Sequence, residues 1–177
     1  MQLFKSLNRL YNRGAVILVQ FAGLTFEQII EKYSDTITKV CLVRLQNWAD
    51  AEDCYQNTFL TLYQKSPDFN DENHLKAWLI RVAINECTDY IRSNKRTSSL
   101  EDAKNIVFSI DEDKSDLSFA LLQLKPKYRN VIYLHYYEGY KIDEISQILG
   151  IKLNTVKSLL KRGKEKLKNI YGGEFYE

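Results

Sequence analysis

Proline is nearly absent: Pro67 and Pro126 are the two in 177 residues, so long stretches carry nothing that interrupts a helix. Glycine is scarce as well, at seven, and no run alternates β-branched with polar residues. These absences favour an all-α fold over a sheet-based one. Apolar runs are too short to cross a bilayer, which takes about 20 residues. The stretch GAVILVQFAGL at 14–24 contains Gln20 and follows Lys5, Arg9 and Arg13, an order shared with signal peptides. It lacks a convincing small-residue cleavage site, so residues 1–24 are read as an N-terminal extension of unknown role, with no stable membrane insertion. Cysteine occurs three times, at Cys41, Cys54 and Cys87. An odd count at wide spacing among apolar neighbours gives neither a disulfide framework nor a metal motif, and points to buried thiols in a reducing cytoplasm. His74 and His135 have no second ligand nearby in sequence, so a satisfied or exposed histidine is expected and no metal or cofactor.

What the chain does have is charge, unevenly placed. The net charge of +2 divides into +3 over residues 1–24, −2 over 25–96, −4 over 97–116 and +5 over 117–177. A basic C-terminal third behind an acidic connector suggests nucleic acid as a partner of that third alone. Apolar content of 45% with 12% aromatics suffices for packed cores. The expected organisation is two small helical domains, 25–96 and 117–177, joined by the acidic linker 97–116, with Ile106, Val107 and Phe108 its one apolar patch.

The stretch from Tyr140 to Lys168 organises the rest. Ile142, Ile145, Ile148 and Leu149 give a helical rhythm that ends at Gly150, where a left-handed residue closes a helix without Cβ strain. A second helix follows, capped by Asn154 or Thr155, with an apolar stripe of Val156, Leu159, Leu160, Gly163, Leu167 and Ile170. On its other face Lys157, Lys161, Lys164 and Lys168 recur at i, i+4, i+7 and i+11, flanked by Arg162 and Lys166 and interrupted by Glu165 alone. Like charges so aligned repel, and a polyanion would relieve them. A tight turn delivering a basic helix suits the DNA major groove. The plain alternative is a lysine-rich solvated helix.

Upstream, Thr25 is placed to cap a helix whose Phe26, Ile29, Ile30, Tyr33, Ile37, Val40, Cys41 and Arg44 trace a core face. Asp50 is placed to cap DAEDCYQNTFLTLYQK, with Ala51, Cys54, Tyr55, Thr58 and Leu62 inward and Glu52, Asp53, Gln56 and Asn57 outward. Those acids could serve the helix dipole, acid/base or metal chemistry, or protein docking. SPDFNDENH at 66–74 is a loop by its composition. A long helix then runs from Leu75 to Arg96, burying Leu75, Leu79, Val82 and Tyr90 beside Trp78 and Ala83. Arg81, Asn85, Thr88 and Arg92 share another face, ending at Lys95 and Arg96. This face is either an ordinary polar one or a nucleic-acid contact. A helix pair from Leu117 to Gly139, broken at Lys125-Pro126, completes the chain, with Phe119, Leu121, Leu122 and Leu124 before the break, and Tyr128, Val131, Ile132, Leu134 and His135 after it.

Three of these segments together resemble the extracytoplasmic-function sigma factors, the smallest class of bacterial RNA polymerase sigma subunit. DAEDCYQNTF at 50–59 is similar to the family's polymerase-clamp helix and HLKAWLIRVAINECTDYIR at 74–92 to its promoter-melting helix. LKPKYRNVIYLHYYEGYKIDEISQILGI continuing into NTVKSLLKRGKEKL resembles the domain that reads the upstream promoter element. The resemblance covers Phe26 to Tyr171 and leaves the extension outside.

It implies that Asp53 and Gln56, with Glu52 and Asn57 beside them, bind the β′ clamp of core RNA polymerase. Phe69, Asn70 and the loop to His74 would take a flipped-out base of the −10 element, with Trp78, Arg81, Asn85, Asp89 and Arg92 along the melting helix. Lys157, Ser158, Lys161 and Arg162 would enter the −35 major groove and Thr155 would touch phosphate, with Lys164 a further −35 contact. The implied partners are core polymerase (β′ clamp and β flap), promoter DNA and an anti-sigma factor in the bacterial cytoplasm, serving a stress or envelope regulon without catalytic residues. Leu159, Gly163 and Lys152 depart from the usual arginine, alanine and serine, which leaves the −35 sequence unassigned. Two other readings are a free-standing helix-turn-helix regulator that never meets polymerase, and a nucleic-acid enzyme holding metal with Glu52 and Asp53 or the acids at 111–113.

Overall fold

The computed structural model describes residues 21–93 and 115–171, and all seven elements of regular structure within them are helices. They are α1 (Phe26–Leu45), α2 (Trp48–Lys65), α3 (Glu72–Ser93), α4 (Ser115–Gln123), α5 (Pro126–Tyr136), α6 (Ile142–Leu149) and α7 (Leu153–Tyr171). Most of the N-terminal extension, the linker with its apolar patch and the acids at 111–113, and Lys95 and Arg96 lie outside the described residues.

α1, α2 and α3 pack on one another as a three-helix unit. Thr25 caps α1 as expected: its Oγ1 accepts from the Gln28 amide at 3.3 Å while the Gln28 side chain accepts from the Thr25 amide at 2.9 Å, which satisfies two of the orphan amides. Ile29, Tyr33, Ile37, Val40 and Cys41 are buried along its inner face. The cap of α2 is not Asp50. Asn47 takes that place, its side chain accepting from the Asp50 amide at 2.9 Å, because helical geometry already begins at Trp48. The Asp50 carboxylate instead accepts from the Tyr90 hydroxyl at 2.5 Å, tying the start of α2 to the end of α3. Phe59 joins the expected Ala51, Cys54, Thr58 and Leu62 in the core, while Tyr55 is half-buried.

The third helix starts three residues earlier than its apolar pattern, because Asp71 caps it: the His74 amide donates to the Asp71 carboxylate at 2.8 Å. Its buried face is Leu75, Leu79, Ile80, Ala83, Ile84 and Cys87, and Val82 and Tyr90 are half-buried at the edge. One cysteine from each helix, all free, meets at the centre; hydrogen bonding between thiols and burial push Cys54 and Cys87 far above an ordinary thiol, which makes them inert.

α4 to α7 form the second unit, in which α7 packs on each of the other three. Pro126 sits at the first position of α5, where its missing amide costs nothing. Gly139 and Gly150 adopt φ of 74° and 64°, conformations that turn the chain before and after α6. Glu144 accepts from the Lys141 amide at 2.7 Å at the start of α6, and Ser146 Oγ donates to the Ile151 carbonyl at 2.6 Å across the turn. α7 begins at Leu153, so neither Asn154 nor Thr155 caps it; both lie in its first turn, and the Lys152 carbonyl accepts from the Thr155 and Val156 amides. Val156, Leu160, Gly163 and Leu167 are buried, Leu159 is half-buried and Ile170 lies exposed near the helix end.

Gly163 is the close-approach point of this unit. A Cβ there would stand 3.0 Å from Ile132 Cγ1 and 3.2 Å from Cδ1, and Ile132 is itself buried. Alanine would gain about 1 kcal/mol of helix propensity. Forcing a methyl against a packed side chain costs about 1–3 kcal/mol. Gly163→Ala is therefore expected to lower stability by about 1 kcal/mol in denaturant unfolding, and a more stable variant would show that Ile132 gives way.

Candidate polymerase and nucleic-acid interfaces

The outward face of α2 is formed by Glu52, Gln56, Ala49, Leu60, Asp53 and Asn57, which at 100° per residue fall within an arc of about 140°. Glu52, Asp53 and Asn57 are exposed and Gln56 is half-buried, donating to Glu52 at 3.4 Å. Leu60 stands near the middle of this arc at 38% exposure, and Trp48 flanks it at 43%. Sequence reasoning missed both; the signal available was an apolar side chain breaking the polar arc of a helical projection. This face therefore combines acids with an exposed apolar side chain. Among the described residues no cluster of three or more His, Cys, Asp or Glu side chains could hold a metal ion.

The loop between α2 and α3 forms a second constellation. Ser66 ends α2 with φ of 40°, and the chain then passes Phe69, whose ring is wedged among Phe21, His74 and Trp78 at centroid distances of 6.3, 5.4 and 5.6 Å. Phe21 belongs to the segment read as an extension with no assigned role, yet it is buried at 2% exposure. Its amide and carbonyl pair with those of Leu24 at 2.9 and 3.0 Å around Ala22 and Gly23, both at positive φ, so the end of the extension is a tight turn seated on the loop. The Ala-Gly pair was the available signal.

Asn70 is exposed and its amide donates to His74 Nδ1 at 3.4 Å. Phe69 to Arg81 are thus brought together, while Asn85, Asp89 and Arg92 continue down the exposed side of α3. Arg92 pairs with Asp89 at 3.1 Å, both more than 70% exposed, an arrangement that contributes little to stability. Thr88 is not on that open face: its hydroxyl accepts from Arg44 Nη2 at 2.8 Å.

On α7, Thr155, Lys157, Ser158, Lys161, Arg162 and Lys164 are all exposed, so one helix presents the whole expected set. Among the described residues no carboxylate pairs with Lys157, Lys161 or Arg162. Lys164 Nζ lies 6.0 Å from the Tyr136 ring centroid, at the flank of the stripe, and Lys166 lies 5.8 Å from that of Tyr128. The Ser158 hydroxyl donates to the Asn154 carbonyl at 2.8 Å and would have to rotate to meet another partner. His135, as expected, is satisfied internally, its Nδ1 donating to the Tyr140 carbonyl at 2.8 Å.

Between the units lies a cavity of about 380 Å³ that sequence reasoning did not foresee. Trp78, Arg81 and His74 line one wall and Tyr140, Glu144 and Gln147 the other. No helix among the described residues is long and apolar enough to cross a membrane.

The comparisons agree with this architecture. The family model described as Sigma-70 region 2 matches residues 29–97, and that described as Sigma-70, region 4 matches residues 115–167. The chain is 32% identical over 162 residues to the ECF RNA polymerase sigma factor SigW of Bacillus subtilis, covering 81% of this chain and 87% of that one. It is 29% identical over 157 residues to SigM of the same organism, covering 84% and 96%. A solved structure of the sigma factor RpoE from Bartonella quintana, in complex with the anti-sigma factor NepR, superposes with a TM-score of 0.66 at 21% identity over 85% of this chain and 98% of that one. Two sigma-70 modules in this order, on a helical chain with these exposed faces, place the protein in the extracytoplasmic-function family of RNA polymerase sigma factors: it initiates transcription and is not itself an enzyme.

Proposed function

We propose that residues 25–96 bind core RNA polymerase and the −10 element, that residues 117–177 bind the −35 element, and that the linker 97–116 tethers the two along the polymerase. The observation that carries the reading is the α2 face. Asn47 already caps the helix, and Asp53 lies beyond the first turn, where the dipole no longer acts on it. Asp53, Asn57 and Leu60 therefore stand exposed with no task inside the fold, as a surface for the β′ clamp would.

Promoter opening follows from the α2–α3 loop. Extruding a base costs a few kcal/mol of unstacking. Aromatic packing around Phe69 holds the loop in place, so Asn70 and His74 can recover that cost for the matching base, with Trp78 and Arg81 at the edge of the melted strand. Asn85, Asp89 and Arg92 extend the contact along α3. Lys157, Lys161 and Arg162 enter the −35 major groove with Ser158, while Thr155 and Lys164 meet phosphate, and the linker raises the effective concentration of this second contact. The β flap is a further contact of residues 117–177. A regulatory partner of the anti-sigma kind fits the reading, since the RpoE structure of similar fold holds the anti-sigma factor NepR; a bacterial cytoplasmic setting and a stress or envelope regulon complete it.

Asp53→Arg is expected to abolish co-elution with core polymerase and Gln56→Ala to weaken it, while both leave unfolding within about 0.5 kcal/mol because these positions lie outside the core. Arg162→Ala should weaken binding to a −35 duplex by about 1–3 kcal/mol in a titration at fixed salt. Unchanged affinity would remove Arg162 from the readout.

A further inference from the structure

The loop between α2 and α3 is held by little of its own backbone. At its start the Ser66 amide donates to the Leu62 carbonyl at 2.9 Å, and at its end Asp71 caps α3. Among the described residues, 67–70 make no backbone–backbone hydrogen bond, and the Asn70 amide reaches His74 Nδ1 at a long 3.4 Å. Water serves such polar groups nearly as well, so they do not select one conformation. The half-buried ring of Phe69 does. Two of the rings around it, His74 and Trp78, belong to the first turns of α3 that the loop leads into. The third, Phe21, comes from the far side, 6.3 Å away between centroids.

Phe21 is itself fixed, at 2% exposure in the core. Ala22 and Gly23 follow at φ of 51° and 82°, the pair of positive values that a type I′ turn needs. Alanine seldom takes that conformation, which persists only where its surroundings hold it. Here the two Phe21–Leu24 backbone bonds close the turn, and Thr25 follows at once as the capping residue of α1. α1 is tied in turn to the start of α3, because Glu72 pairs with Lys32 and accepts from the Tyr33 hydroxyl at 3.2 Å. The turn is therefore a frame built independently of the loop, upstream of residues 29–97 that the region 2 model matches.

We propose that Phe21 is a positioning residue for promoter opening: packed on Phe69, it fixes the α2–α3 loop so that Asn70 and His74 are in place before a base is extruded. It need not touch DNA. Its role in opening rests on the −10 reading above, whereas its hold on the loop does not. With the hold removed, the loop must be ordered at the moment of binding, and that cost falls on the opening step. The α2 face, which the reading gives to polymerase, is untouched.

Two readouts test this. A spin label at Asp68→Cys, an exposed loop position, reports loop motion in the free chain while the native thiols stay buried. Opening is read as permanganate reactivity of unpaired thymines, with reconstituted holoenzyme on a genomic fragment where the unmutated chain gives a discrete start site. Phe21→Ala should raise the mobile fraction of the label and lower opening about tenfold, what re-ordering one or two side chains costs. Co-elution with core polymerase should stay unchanged, whereas a merely structural loss would weaken both together. Gly23→Val keeps Phe21 and enters open space, so it acts through the strained turn alone and serves should Phe21→Ala fail to fold. It should move both readouts in the same direction. A label as ordered as before in the folded variants, with helix content intact, would overturn the inference. A loosened label with opening unchanged would overturn the role in opening, and the −10 reading of this loop with it.

Discussion

The arrangement of this molecule depends on how backbone carbonyls at helix ends are satisfied. α1 and α4 both end at the junction between the units, and each leaves carbonyls that water or a side chain must meet. Here a guanidinium and an amide meet them, Arg129 on Val43 and Gln46 on Leu122. Within each unit the core is apolar, with Ile29, Ile37, Leu62 and Leu79 in one and Val131, Leu134 and Val156 in the other. Polar bonds across a junction cost less to separate than an apolar core, because water replaces their partners. Buried apolar side chains also run on from one unit into the other as one cluster, so these polar bonds set how the units meet without being all that joins them.

The exposed faces of the two units differ in chemistry. α2 carries acids around a leucine, α3 begins at an aromatic cluster and α7 carries exposed cations. No catalytic group is required, since polymerase performs the chemistry, and the chain contributes placement and recognition. On the proposed function, a Phe69 loop held in position before DNA arrives would lower the ordering cost of the contact.

Much of this was legible in the sequence, and the reasons differ by element. The helix-turn-helix was legible because Gly150 and the 3.6-residue rhythm of Val156, Leu160 and Leu167 act locally. Helix starts were less so: at α2, asparagine at 47 and aspartate at 50 are both good caps, and only the geometry of Trp48 decides between them. At α7, Leu153 already follows helical geometry, which leaves Asn154 and Thr155 inside the first turn. Phe21 was hidden because a buried aromatic at the end of an apolar extension looks like the extension itself. The junction could not be read at all, since Arg129 meets a carbonyl 86 residues away and no periodicity encodes that pairing.

The most direct measurement of whether this chain is a sigma subunit is reconstituted transcription. Purified chain and core RNA polymerase would be mixed with genomic fragments from the source cell, and the 5′ ends of the transcripts mapped. Discrete start sites that appear only when the chain is present, with shared elements about 10 and 35 base pairs upstream, are the expected result. Chain that binds these fragments tightly yet gives no new start site with core polymerase would contradict it, and would make the protein a DNA-binding regulator that works without joining the enzyme.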